Sequence, residues 1–175
     1  KKTNYDASEI LVSNGAKQSC FQAIFATVSV GDKVIIPAPY YPSYPEMVRL
    51  CGGVPVILQT NIEDDYKVTK SLLQDCLSQE TGVKLLILCN PSNPTGTLHT
   101  KNDLEDIASV LLSEENYEIN VLTDEIYERL LYDGETHACF STIGGMRGRT
   151  LVVNGFSKSY AMTGYERRAP SEARR

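Results

Sequence analysis

Apolar residues follow two rhythms along this chain. Short uninterrupted runs read as strands: Ile10-Leu11-Val12-Ser13, Val34-Ile35-Ile36, Val54-Pro55-Val56-Ile57-Leu58, Val83-Lys84-Leu85-Leu86-Ile87-Leu88-Cys89, Ile119-Asn120-Val121-Leu122 and Leu151-Val152-Val153. The run that starts at Val83 is the strongest, continuous in the way of a strand buried on both faces. Pro55 puts its strand at a sheet edge or makes it a strand start, because proline brings no N–H to a ladder. Between the runs the apolar spacing becomes helical. From Ala16, residues Cys20, Phe21, Ala23, Ile24, Ala26, Thr27 and Val28 share one broad face. Pro45 to Leu50 fits a helix with proline in its first turn, and Thr69 to Leu77 a helix capped by Thr69. Asn102 to Leu112 carries the stripe Leu104, Ile107, Ala108, Leu111 and Leu112. Strands alternating with helices predict the α/β class, a three-layer α/β/α sandwich with a mostly parallel sheet.

That architecture changes how the turn residues read. In an open parallel sheet, ligands bind beyond the carboxyl ends of the strands. Asn14–Lys17, Asn90–Gly96, Asp124–Tyr127 and Asn154–Lys158 each follow a predicted strand. Parallel strands would gather them although they are far apart in sequence. Each also has a structural reading of its own: a βα turn at Gly15, local hydrogen bonding at Asp124, core packing at Tyr127 and Tyr41, turn-making beside Pro94 at Asn93, and a surface lysine in a Ser-rich loop at Lys158. Read together, they offer a helix N-terminus open to an anion, a carboxylate, hydroxyl and amide donors, a flat aromatic face, and an amine suited to a Schiff base with a cofactor aldehyde.

Composition narrows the partners. A formal net charge of -5 argues against nucleic acid or an anionic membrane as partner, since both favour clustered Lys and Arg. No apolar run reaches the roughly 18–20 residues of a membrane span, and no signal peptide is visible, so a cytoplasmic or organelle-matrix location is expected. Cys20, Cys51, Cys76, Cys89 and Cys139 are widely spaced and odd in number, which suits free thiols rather than a disulfide framework. His99 and His137 are too few and too far apart to suggest a metal site without carboxylate help.

Five segments in order resemble the large domain of class I/II aminotransferases, the aspartate-aminotransferase-like, fold-type I pyridoxal-phosphate enzymes: SNGAKQ at Ser13–Gln18, PYYPSYPEMV at Pro39–Val48, NPSNPTG at Asn90–Gly96, TDEIYE at Thr123–Glu128 and NGFSKSYAMTG at Asn154–Gly164. The resemblance implies pyridoxal 5'-phosphate as cofactor, and an amino acid and a 2-keto acid as substrates. It implies that Lys158 forms the Schiff base and moves the proton, that Asp124 partners the pyridine nitrogen, and that Tyr127 and Asn93 bond the ring's phenolate oxygen. Gly15, Ala16 and Lys17 would hold the phosphate through backbone amides, with Ser157 an added contact and Tyr41 stacking on the ring. The whole enzyme would be a homodimer. A related carbon–sulfur lyase, decarboxylase or synthase of the same fold would share these residues, and a non-catalytic remnant would keep only some of their functions.

The pattern departs near the end. Glu166 stands where the family places a phosphate-gripping arginine, and Arg167 and Arg168 come one and two positions later. Residues 1–164 therefore read as a partial cofactor-binding domain and 165–175 as a divergent or unstructured tail. A fragment with weak or absent transamination is the expectation.

Overall fold

Most of the apolar runs become strands, and the exception shows what a strand needs. In the computed structural model, which describes residues 5–165, β1 (Lys33–Ala38), β2 (Val54–Gln59), β3 (Val83–Cys89), β4 (Asn120–Asp124) and β5 (Thr150–Val153) pair in the order β2-β1-β3-β4-β5. Every pairing is parallel: Ile36 lies opposite Ile57, Leu86 opposite Val121 and Asp124 opposite Val153. β2, which carries Pro55, is an edge strand as its proline predicts.

Side chains along a strand alternate between faces, and here both faces are covered. Leu86 and Leu88 enter one core with Leu73 of α3 (Lys70–Gln79) and Leu104, Ile107 and Leu111 of α4 (Lys101–Leu111). Leu85 and Ile87 enter the other with Cys20 and Ile24 of α1 (Ala16–Thr27) and Met47 and Val48 of α2 (Ser43–Leu50). Fully burying each such leucine or isoleucine contributes about 1.5–3 kcal/mol. This is the expected helix–sheet–helix sandwich. The helix starts are chemically specified: Thr69 Oγ1 accepts from Leu72 N at 3.3 Å, while Thr100 and Asp103 form a reciprocal capping box. The long segment between β4 and β5 is irregular yet not peripheral, since it sends Phe140, Ile143 and Met146 into the α3/α4 core. Arg149 then bonds the carbonyl oxygens of Leu111, Asn116 and Ile119, satisfying acceptors near the end of α4. Among the described residues, no helix is long and apolar enough to cross a membrane.

The strand expected at Ile10–Ser13 does not form. Ile10 has extended backbone, φ -113° and ψ 125°, yet it pairs with no strand of the sheet. Ile10, Leu11 and Val12 are all exposed, Val12 at 90%. Apolar, β-branched composition favours extended backbone, but a ladder also needs a hydrogen-bonded partner, and this segment pairs with none of the five strands. Glu166, Arg167 and Arg168 lie outside the described residues.

The parallel register puts every strand's carboxyl end on one edge. The chain leaves β1 toward β2 on one side, and leaves β3 toward β4 and β5 on the other. The crevice at that reversal is where side chains from several loops meet.

Candidate active site

Gly15, Ala16, Lys17, Tyr41, Asn93, Asp124, Tyr127, Ser157 and Lys158 all line one cleft of about 680 Å³ on that edge. Each arrives by its own route. Gly15 precedes α1 at φ 84°, a conformation glycine adopts without strain. It provides no side-chain cap, so the first turn's N–H groups have no side-chain acceptor. Tyr41 follows β1, Asn93 follows β3, Asp124 ends β4, and Ser157 and Lys158 sit on α5 (Phe156–Ser159), one short turn after β5.

Asp124 is the electrostatic centre. The residue is 6% exposed. Oδ2 accepts from the Tyr44 hydroxyl at 2.8 Å and from the Cys20 thiol at 3.7 Å, and Oδ1 accepts from Ile126 N at 3.2 Å. Burial raises its pKa. Tyr44, the Ile126 amide and Cys20 pull it back, and no described cation contributes. The Tyr44 phenol is itself pushed far up, first by burial and then by the Asp124 charge, so it keeps its proton and donates. Burial pushes Cys20 up as well, and Cys89 to about 12, which leaves both thiols protonated and unreactive.

Around this carboxylate, Asn93 Nδ2 donates to the Tyr127 hydroxyl at 3.4 Å. The Tyr41 ring meets Tyr44 edge-on, with centroids 5.5 Å apart and an interplanar angle of 83°. The Lys17 ammonium lies 5.4 Å from the Tyr41 centroid, and its hydrogen bond lowers the Tyr41 pKa, helped by Ser43. Lys17 thus brings a side-chain charge to the cleft in addition to the backbone amide read from the sequence.

This donor set fits pyridoxal 5'-phosphate. A buried carboxylate without a described cation suits a protonated ring nitrogen, and an uncapped helix N-terminus suits a phosphate. A larger cleft, about 940 Å³, lies between Ile10-Leu11 and β5 and contains neither Asp124 nor Lys158. Size and chemistry disagree here, and the chemistry belongs to the smaller cleft.

Sequence reasoning passed over Tyr44, Cys20, Cys89 and Met47, which also line the cleft. Tyr44 sits in the first turn of α2, and no local pattern aims its hydroxyl at Asp124. The buried network beneath the Asn90–Gly96 loop was not legible either. Asn90 grips His99 by both its side-chain amide atoms, and His99 Nε2 accepts from Val68 N at 2.9 Å. His137, isolated in sequence, stands beside Glu125 and Glu128, their ligand-type atoms lying within 4.8 Å of one another.

The sequence profile of the family described as "Aminotransferase class I and II" matches residues 1–166. A bifunctional aspartate aminotransferase and glutamate/aspartate-prephenate aminotransferase of Petunia hybrida is 49% identical over 162 residues, covering 93% of this chain and 33% of the relative. The crystal structure of the aspartate aminotransferase from Rhizobium meliloti superposes with a TM-score of 0.87 at 36% identity, covering 93% of this chain and 40% of that one. N-succinyldiaminopimelate aminotransferase from Mycobacterium tuberculosis gives a TM-score of 0.86 at 26% identity, covering 94% and 42%. The chain therefore spans about a third to two fifths of the length of these relatives. A parallel sheet whose strand ends hold a lysine, a buried aspartate and a glycine-led helix start, matched by that profile across nearly the whole chain, makes this polypeptide a member of the class I and II aminotransferase family.

Proposed function

We propose that this chain is the cofactor-binding part of a pyridoxal-phosphate-dependent aminotransferase that passes an amino group between an amino acid and a 2-keto acid. The observation that carries the reading is the meeting of Lys158 and Asp124 in one cleft, 34 residues apart in sequence, beside the open start of α1. When bound, pyridoxal phosphate supplies an aldehyde that an amine can hold and a protonated ring that withdraws electrons from a substrate carbon.

The chain's own residues divide the remaining work. Asp124 holds a proton on the ring nitrogen, and its own desolvation cost falls when that cation arrives. Tyr127 and Asn93 orient the ring through its phenolate oxygen. The amides of Gly15, Ala16 and Lys17, with the Ser157 hydroxyl, take the phosphate. Tyr41 covers the ring face. The Lys158 amine would take the proton from the substrate α-carbon and return it to the carbon on the far side of the amino nitrogen. The cleft's second described ammonium, Lys17, suits an anionic ligand, in keeping with relatives named for aspartate and glutamate. The Mycobacterium tuberculosis neighbour is named for a different amino donor, so the fold does not choose the substrate.

The test is titration of the chain with pyridoxal phosphate, followed by absorbance. A visible band should form in the unaltered chain and in Lys17→Ala, and vanish in Lys158→Ala. A band that survives Lys158→Ala, or no band at all, overturns the reading.

A further inference from the structure

The loop that carries Asn93 has little means of holding its own shape. Pro91 and Pro94 have no backbone N–H, and the loop's own bonds are short-range: Ser92 N to Thr97 O at 2.8 Å, Gly96 N to Ser92 O at 3.0 Å, Thr97 N to Thr95 Oγ1 at 3.3 Å and the Cys89 thiol to Pro91 O at 3.3 Å. Its anchor is Asn90, the first residue after β3, which is 2% exposed. Asn90 N donates to Asp124 O at 2.9 Å, extending the ladder to β4. Its side chain is spent on His99, with Oδ1 accepting at 2.9 Å and Nδ2 donating at 3.3 Å. The Asn90 carbonyl, pointing toward the 125–149 segment, is met by His137 Nε2 at 3.1 Å.

A carbonyl only accepts, so His137 Nε2 carries the proton. The same nitrogen lies 3.6 Å from Glu125 Oε2, and the side chains of His137 and Glu125 are 5% and 1% exposed. Glu125 is fixed in turn, because its Oε1 accepts from Phe140 N at 3.2 Å. One imidazole nitrogen thus donates to the loop carbonyl with a buried carboxylate beside it, and three residues beyond that carbonyl comes Asn93 with its amide against Tyr127.

We infer that His137, buried beside the Glu125 carboxylate, is a positioning residue that fixes the Asn90–Gly96 loop so that the Asn93 amide and the Tyr127 hydroxyl converge on one point in the cleft. This rests on the reading of that cleft as the cofactor site for its consequence, though not for its geometry. Without the Nε2 donor the Asn90 carbonyl is buried unsatisfied, and the loop gains a competing arrangement in which that carbonyl turns elsewhere.

The experiment measures hydrogen exchange of the cofactor-free chain, unaltered and as His137→Phe and His137→Gln, followed by pyridoxal phosphate titration of each. Phenylalanine keeps a ring and loses the donor; glutamine keeps an N–H at about the same reach. In His137→Phe the amides of Ser92, Asn93 and Gly96 should exchange about tenfold faster, as expected for one lost hydrogen bond to a buried carbonyl, while β1 and β3 amides keep their protection. The dissociation constant for pyridoxal phosphate should rise by a similar factor. His137→Gln should restore both. Unchanged loop exchange in His137→Phe, acceleration spread equally over β1 and β3, or a glutamine variant as fast as the phenylalanine one overturns the inference. If His137→Phe loses its core protection altogether, the glutamine variant decides: loop exchange at the unaltered rate supports the inference, and acceleration overturns it. Absence of any absorption band in the unaltered chain would end the cofactor reading and leave the exchange result standing.

Discussion

Replacing Tyr44 with phenylalanine isolates the interaction on which Asp124 depends. The substitution removes one oxygen and keeps the ring, so the edge-on contact with Tyr41 survives. What disappears is a 2.8 Å donor to a buried carboxylate. A hydrogen bond to a charged acceptor is worth about 1.5–3 kcal/mol, and one between neutral groups about 0.5–1.5 kcal/mol. Which applies depends on whether Asp124 is ionised. Its folded pKa is raised above its unfolded value, chiefly by burial. Ionisation therefore costs stability as the pH climbs from the ordinary carboxylate range through that raised value. The Tyr44 hydroxyl offsets part of that cost. Its own pKa is pushed upward, so it remains a donor throughout. Tyr44→Phe should thus cost about 0.5–1.5 kcal/mol at pH values below the ordinary carboxylate range and about 1.5–3 kcal/mol well above it. Protonation of Asp124 limits the loss, and the Ile126 and Cys20 donors remain. Urea unfolding of the cofactor-free chain and the variant across that pH range measures the difference. A cost that does not grow with pH, or one below about 0.5 kcal/mol at neutral pH, would refute the argument that Tyr44 stabilises an ionised Asp124.

Two further expectations concern stability alone. His99 is buried and its pKa is depressed to about 4, mainly by desolvation, so it is neutral in the fold near pH 7. A depressed histidine contributes stability that is present above its unfolded pKa and lost as the pH falls toward the folded one; the unfolding free energy from urea titration should drop by up to about 3 kcal/mol between those values, and His99→Gln should flatten the dependence. Gly53→Ala should destabilise by roughly 1–3 kcal/mol through overpacking. Its added Cβ would lie 2.6 Å from Val28 Cγ1 and 3.0 Å from Val48 Cγ1, both on buried residues that cannot swing aside. Retention of the unaltered midpoint in thermal or urea unfolding would refute this.

The candidate cleft was legible at the level of residue type because its parts announce themselves chemically. Asn90–Gly96 holds prolines and asparagines that no regular element accommodates, and Lys158 follows an apolar run that ends in Asn154-Gly155. Parallel strands bring such breaks to one edge whatever their separation. Tyr44 was missed because its hydroxyl is aimed by a helix start whose position one residue earlier or later would send it elsewhere. His137 was missed because nothing local marks a histidine in an irregular segment as the partner of an asparagine carbonyl 47 residues away.

Local pattern by itself determined the alternation of strand and helix, the cap at Thr69, and the identity of the groups gathered at the strand ends, and it narrowed the proline-bearing β2 to an edge or a strand start. These depend on periodicity and on neighbours within a few residues. Tertiary structure alone decided which extended segment became a strand, because pairing needs a second chain segment, and Ile10–Ser13 finds none among the described residues. It also decided the state of Asp124. A carboxylate's cost is set by what surrounds it once water is removed: the Ile126 amide is a local donor two residues on, but Tyr44 and Cys20, brought in by α2 and α1, are supplied by the fold.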